Sequence, residues 1–296
     1  MKALSFGEIL WDVYADKKYI GGASLNFAAH LARHGEESYL LSCVGEDGLG
    51  DEALLHLNEI HVFTDYVSRS NTKDTGMCLV TLDKNAIPSY DLKQDVAYDY
   101  IDCDKVKEDF DILYFGTLAL RNNYNLDSLG ELLKRKRFCE VFVDINMRAP
   151  FYSYESVSFS MRNTTILKVS SEELPIVADI LSIDKAVDYK VFAKLLKERY
   201  SNIKLIIITL GAEGAYCYDC VNGQTYYSDS QKVDVVSTVG AGDSFSAAFL
   251  HQYFLKKDLR YCLEYASRIA GFVVSKVEAV PNYNATDFSL MGGTGI

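Results

Sequence analysis

Val235-Val236-Ser237-Thr238-Val239-Gly240-Ala241-Gly242-Asp243-Ser244-Phe245, running on into Ser246-Ala247-Ala248-Phe249-Leu250, is the stretch that decides how this chain is read. A β-rich run meets Gly-Ala-Gly and then a clear helix. Small residues at the turn let the backbone approach a ligand closely. The free N–H groups of the first helical turn attract an anion, so the backbone at Gly240, Ala241 and Gly242 is a candidate phosphate cradle. Asp243 falls in that first turn, where the helix dipole favours an ionised carboxylate. Beside a bound phosphate such a charge is repulsive unless it takes a proton from an incoming hydroxyl. For Gly-x-Gly-Asp alone, an acid that serves only the helix dipole is the plainer alternative.

Working outward, strand and helix patterns alternate. Residues 2–6, 38–44, 112–115, 140–144, 165–169 and 205–210 read as buried strands. Residues 22–33, 51–59, 126–136, 172–181 and 187–199 have helical spacing. This βαβ repetition predicts a doubly wound, mostly parallel α/β sheet in one domain over residues 1–296. Two stretches, about 9–20 and 68–100, break the rhythm with short alternating runs around the turn Asp83-Lys84-Asn85, and predict a small β lid. The tail after Pro281 is rich in Asn, Thr and Gly and is expected to be poorly ordered at its end.

The chain of 296 residues is 49% hydrophobic, enough for a sizeable core, and its net charge of −11 would repel nucleic acid and acidic membranes. A small anion is still welcome where backbone N–H groups converge. The start of the chain lacks a signal-peptide layout, and no apolar run suits a membrane span. Seven scattered cysteines fit reduced thiols and a cytoplasmic location.

Thr238-Val239-Gly240-Ala241-Gly242-Asp243-Ser244-Phe245 closely resembles the C-terminal signature of the ribokinase-like (PfkB) carbohydrate kinases. Gly21-Gly22-Ala23-Ser24-Leu25-Asn26 resembles the family's sugar-binding signature, and Gly7-Glu8 with Asp12 looks like the opening of its fructokinase-type members. Asp144-Ile145-Asn146-Met147-Arg148 is similar to the Asp-x-Asn-x-Arg string of fructokinases and ketodeoxygluconate kinases. The resemblance implies a ribokinase-like fold, ATP and Mg²⁺, and phosphorylation of a sugar, most closely fructose. It implies that Asp243 is the base and that the Gly240, Ala241 and Gly242 backbone steadies the transferring phosphoryl group. Asp12, Gly21, Gly22, Asn26, Asn146 and Arg148 would bind the sugar. Lys168, Thr209, Gly211, Gly214 and Gly242 would line the ATP, the Thr-Leu-Gly-Ala-Glu-Gly turn lying along its phosphates. Glu173, in Lys168-Val169-Ser170-Ser171-Glu172-Glu173, matches the Glu of the family's Asn-x-x-Glu element near the metal, with Ser170 where Asn is usual. Relatives often dimerise through their lids, so a homodimer is a further expectation.

Other signals carry less. Cys217 and Cys220 form a lone Cys-x-x-Cys with no partner pair, read as part of a strand and turn. His30 and His34 are spaced i, i+4 without the intervening Glu of a metalloprotease, and read as surface residues. Trp11 reads as lid packing. Ser267 lies near a common adenine-contacting Asn, so that contact is not carried over.

Ser237 stands where relatives often have an Asp that helps hold a monovalent cation, and Glu278 replaces a usual Gly nearby. Turnover should therefore differ little between K⁺, Na⁺ and Tris buffers. A several-fold activation by K⁺ in a coupled ADP-release assay would show that backbone carbonyls alone complete a cation site.

Overall fold

The computed structural model describes residues 1–82, 88–184 and 188–288. Its strands are β1 (Lys2–Phe6), β2 (Leu10–Val13), β3 (Lys18–Gly21), β4 (Glu37–Gly45), β5 (Val67–Ser70), β6 (Gly76–Leu82), β7 (Pro88–Leu92), β8 (Ile112–Phe115), β9 (Glu140–Asp144), β10 (Ile166–Ser170), β11 (Leu205–Thr209), β12 (Ala215–Asp219) and β13 (Gln224–Ser228). Its helices are α1 (Ala23–Arg33), α2 (Gly48–Glu59), α3 (Asn123–Arg135), α4 (Tyr154–Asn163), α5 (Leu174–Ile180), α6 (Tyr189–Arg199), α7 (Ala241–Phe254) and α8 (Leu259–Val274).

Nine strands form one sheet in the order β13-β12-β11-β10-β9-β8-β1-β4-β5. Pairing is parallel from β5 to β11, and β12 runs antiparallel between β11 and β13. The chain leaves β1 toward β4 and β5, then returns to β8 on its other side and winds on to β11. Strands covered on both faces must be apolar throughout, which is why runs such as Ile112–Phe115 lack alternation. Leu113, Phe115, Val141 and Val143 pack on one face, against side chains of α3, α4 and α6. Ile112, Tyr114, Phe142 and Ile166 pack on the other, against α1, α7 and α8.

The lid is a four-stranded sheet in the order β3-β2-β6-β7. Two details differ from the sequence reading. Val67–Ser70 pairs with β4 in the main sheet, because its register continues that parallel edge. Residues 97–99 form a buried 3₁₀ turn rather than lid strand. The turn Asp83-Lys84-Asn85, Val187 and the chain after Phe288 lie outside the described residues. The expected β run before Gly240 is also absent: residues 229–239 carry no strand. Several of its valines are exposed, with Val235 at 65%, so there was no apolar face to bury. Trp11, 5% exposed, packs in a cluster with α1 and α2 residues and donates from its indole N–H to the Leu49 carbonyl at 3.0 Å.

One carboxylate also helps tie the lid to the main domain. Asp47 caps α2 by accepting from Gly50 N at 2.8 Å, and also accepts from Thr75 N at 2.8 Å and Thr75 Oγ1 at 2.7 Å, next to the start of β6. Asp47→Ala should lower stability by about 1–2 kcal/mol, the scale of a lost helix cap. Urea denaturation would show this, and Asp47→Asn, which keeps one acceptor oxygen, should lose less.

Candidate active site

The carboxyl ends of β1, β9, β10 and β11 open into a continuous cleft of about 2060 Å³. Single drug-sized ligands fill roughly 300–1,000 Å³, so this cleft has room for two substrates. It lies where the chain reverses its direction of winding about β1, the switch point at which open α/β sheets bind ligands. Every residue picked from the sequence lines it: Asp12, Gly21, Gly22 and Asn26 on the lid side, Asn146, Arg148, Lys168 and Glu173 along the floor, Gly240 to Asp243 in the middle, and Thr209, Gly211 and Gly214 at the far end.

Sheet register builds the floor. Lys168 pairs with Asp144 across β9 and β10. Side chains alternate along a strand, and Phe142 and Ile166 face the α7 side, so Asp144 and Lys168, two residues on, face it too. Lys168 Nζ donates to Asp144 Oδ2 at 2.6 Å, with both side chains buried, and Ser246 Oγ reaches the same oxygen at 3.4 Å. A Cβ on Gly242 would lie 3.2 Å from that ammonium, so glycine lets the first turn of α7 settle over it. Gly240 starts α7 with φ +80°, and a Cβ there would meet the Ala279 carbonyl at 2.4 Å. Ala241 N–H is partly used, donating to Thr238 O at 3.3 Å.

Asp243 is buried, and its Oδ2 accepts from Asn26 Nδ2 at 2.8 Å. Burial pushes its carboxyl up to about 7, aided by the nearby Asp144 charge and opposed by the Asn26 bond, Lys168 and Arg148. The sequence reading of a permanently ionised carboxylate is thus corrected: desolvation outweighs the helix dipole. Asn26 Oδ1 is buried with no hydrogen-bond partner among the described residues.

Sequence reasoning quoted Glu8 but gave it no place in the site. Its Oε1 accepts from Ala23 N at 2.7 Å, capping α1 from fifteen residues upstream. Gly22 at φ +116° makes this possible, since a Cβ there would strike the Glu8 carbonyl at 2.4 Å. The available signal was an acid placed just after an apolar strand. On the lid side, burial raises the Asp12 carboxyl, offset by the Arg148 charge and the Cys78 thiol. Asn146 has φ +40°, and Arg148 donates to Met147 O at 3.2 Å. Glu173 accepts from Met147 N at 2.6 Å, Ser170 N at 2.8 Å and Ser170 Oγ at 2.9 Å.

His30 and His34 are not surface residues. His30 is fully buried, with Nδ1 2.8 Å from Tyr283 Oη and Nε2 3.0 Å from Ala279 O. His34 Nδ1 lies 2.7 Å from His30 O. The segment 279–283 folds back over α1 and covers both, which helical spacing could not reveal. Burial holds both imidazoles neutral, His30 near 3 and His34 near 4. Cys217 and Cys220 are buried free thiols, the first inside β12.

The chain matches the model of the pfkB family carbohydrate kinases over residues 3–285. It is similar to an uncharacterised sugar kinase of Pyrococcus horikoshii, 29% identical over 249 residues that cover 81% of this chain and 75% of that one. The solved structure of that kinase with ATP superposes with a TM-score of 0.80 at 25% identity, over 96% of each chain. An ATP-dependent 6-phosphofructokinase of Thermoanaerobacterium thermosaccharolyticum is 28% identical over 94% of this chain and 89% of its own. The Arabidopsis thaliana chloroplastic protein named probable fructokinase-6 is 27% identical over 93% of this chain and 74% of its own.

The Asp243 environment has a consequence for stability. The unfolded chain releases this proton near 3.8 and the folded chain near 7, so in between the folded state holds more protons and stability falls as pH rises. Asp243→Asn should therefore melt higher than the parent at pH 8, with the difference shrinking toward pH 4. Thermal melts across that range check this, and equal melting temperatures at pH 8 would contradict it.

Proposed function

The chain belongs to the pfkB family of carbohydrate kinases, and on that premise we propose that it transfers the γ-phosphoryl group of ATP to a hydroxyl of fructose, with Asp243 as the base. The observation that carries this reading is the Asn26–Asp243 contact at the start of α7, midway along a cleft with one arm under the lid and the other toward the Gly211 and Gly214 turn. A carboxyl titrating near 7 is matched to accepting a hydroxyl proton at neutral pH. The freed alkoxide oxygen bonds to the γ-phosphorus as the bond to the β,γ-bridging oxygen breaks, and ADP leaves. Backbone N–H groups at Gly240, Ala241 and Gly242 face the developing charge, and Lys168 supports them from below with a charge fixed by Asp144.

Among the described residues no group of three or more His, Cys, Asp or Glu could hold a metal ion. Mg²⁺ would be carried in on ATP, held chiefly by phosphate oxygens and water, and would neutralise phosphate charge. Glu173, which lines the same cleft, would meet those waters through the lone pair that its three hydrogen bonds leave over.

Asp12, Asn26 and Asn146 suit neutral hydroxyls, for which carboxylate and amide groups accept and donate. The plant relative's name agrees with fructose. A second reading rests on Arg148, whose guanidinium could pair a substrate carboxylate bidentately. A relative from Listeria monocytogenes, 22% identical over 93% of this chain, is named 5-dehydro-2-deoxygluconokinase.

Asp243→Asn should lower kcat by roughly 10²–10⁴, the usual scale for a general base, while ATP binding persists. Near-normal turnover would remove Asp243 from the chemistry. In a sugar panel, fructose should give a higher kcat/KM than ribose, adenosine or ketodeoxygluconate, and Asp12→Ala should cripple its phosphorylation. If a sugar acid wins the panel, and Arg148→Ala harms that acid far more than fructose, the fructose assignment falls and the kinase assignment stands.

A further inference from the structure

We infer that Glu173 is a positioning residue for the sugar-binding loop: its carboxylate clamps the turn after β9, which carries Asn146 and Arg148, to the turn after β10. Three donors converge on it. Met147 N reaches Oε1 at 2.6 Å, and Ser170 N and Oγ reach Oε2 at 2.8 and 2.9 Å. An ionised carboxylate only accepts, so all three bonds have the right sense and are strengthened by charge. The serine in place of the family's usual asparagine supplies the third of these bonds with its hydroxyl.

The clamp falls at the residue where it has most leverage. Met147 packs into the core and also borders the cleft, which Asn146 and Arg148 on either side of it line as well. Fixing the Met147 N–H therefore fixes both flanks. Asn146 needs this, because a non-glycine residue at φ +40° sits in a sparsely populated region that persists only where neighbours hold it. Adjacent bonds extend the seam: Ile145 N donates to Lys168 O at 3.0 Å, joining the β9 turn to β10, and Ser171 N donates to Thr209 O at 2.8 Å, joining the turn after β10 to the end of β11. Glu173 thus belongs to a seam that joins the ATP end of the cleft to its sugar wall.

The kinetic part of this inference rests on Asn146 and Arg148 touching sugar; the clamp itself does not. Glu173→Gln is the sharp test. An amide offers one acceptor oxygen and a donor, so either Met147 N–H or the Ser170 pair must lose its acceptor. In the full-length variant, without nucleotide and in EDTA, the peptide spanning residues 145–149 should exchange amide hydrogen faster than in the parent, and added Mg²⁺ should not slow it. The KM for fructose should rise about tenfold, the worth of one charge-assisted bond, with the KM for ATP little changed and no rescue by excess Mg²⁺. Ser170→Ala, which removes only the hydroxyl bond, should move both readouts in the same direction by less, and it carries the test if Glu173→Gln does not fold. Unchanged exchange at 145–149 overturns the clamp, as does a defect confined to the KM for ATP and restored by Mg²⁺. If Arg148→Ala leaves the fructose KM untouched, the loop is not the sugar wall, and the exchange result still decides the clamp.

Discussion

A lysine ammonium and an aspartate carboxylate 2.6 Å apart, beneath the first turn of α7, are the constraint on which the rest of the site depends. Removing two charges from water is expensive, and a buried ion pair is often no more stable than the apolar residues that could replace it. Lys168 interrupts an otherwise apolar buried strand, and Asp144 ends another. Their presence is best understood through what lies above them: a glycine whose missing side chain brings backbone N–H groups down over a fixed positive charge. The geometry follows from parallel register and the two-residue period of a strand, so a one-residue slip would turn both side chains to the opposite face.

The same local charges explain how a chain with a net charge of −11 receives a polyphosphate. Lys168, Arg148 and the start of α7 converge on one stretch of the cleft, so the potential there is set by near neighbours rather than by the distant total. Asp243 is the counterweight. Buried next to Asp144, it binds its proton more tightly than an exposed aspartate would, and the Asn26 amide limits that rise.

Helix α1 joins the two halves of the site. Glu8 caps its start, Asn26 donates to Asp243, and one turn later His30 holds the Ala279 carbonyl, which is packed against Gly240. Arg33 continues the stripe by donating to Asn282 Oδ1 at 2.8 Å. One helix face therefore positions both Asp243 and the loop that packs against Gly240. Small movements of α1 would be felt at both ends of the cleft, since packed interiors transmit displacement.

Much of this was legible in the sequence because it is local. Apolar runs such as Ile112–Phe115 and Glu140–Asp144 mark buried strands by composition, and Gly-Ala-Gly marks a tight turn into a helix by the absence of side chains. The lid hairpin could be read from alternation. What sequence could not supply was environment. Val67–Ser70 looked like lid until its pairing with β4 placed it in the main sheet, and the valines before Gly240 looked like strand until nothing covered them. The two histidines of α1 were hidden by a segment almost 250 residues away, as the His30 bond to Ala279 shows with a separation of 249. Asp243 was identifiable as an acid at a helix start, but its proton affinity depends on Asn26, 217 residues distant, and on burial. The sequence by itself determined the periodicities, the turns and the choice of reactive groups, because these depend on covalent neighbours. Tertiary structure alone decided burial, pairing and charge state, because desolvation and hydrogen bonding depend on which distant residues the fold brings together.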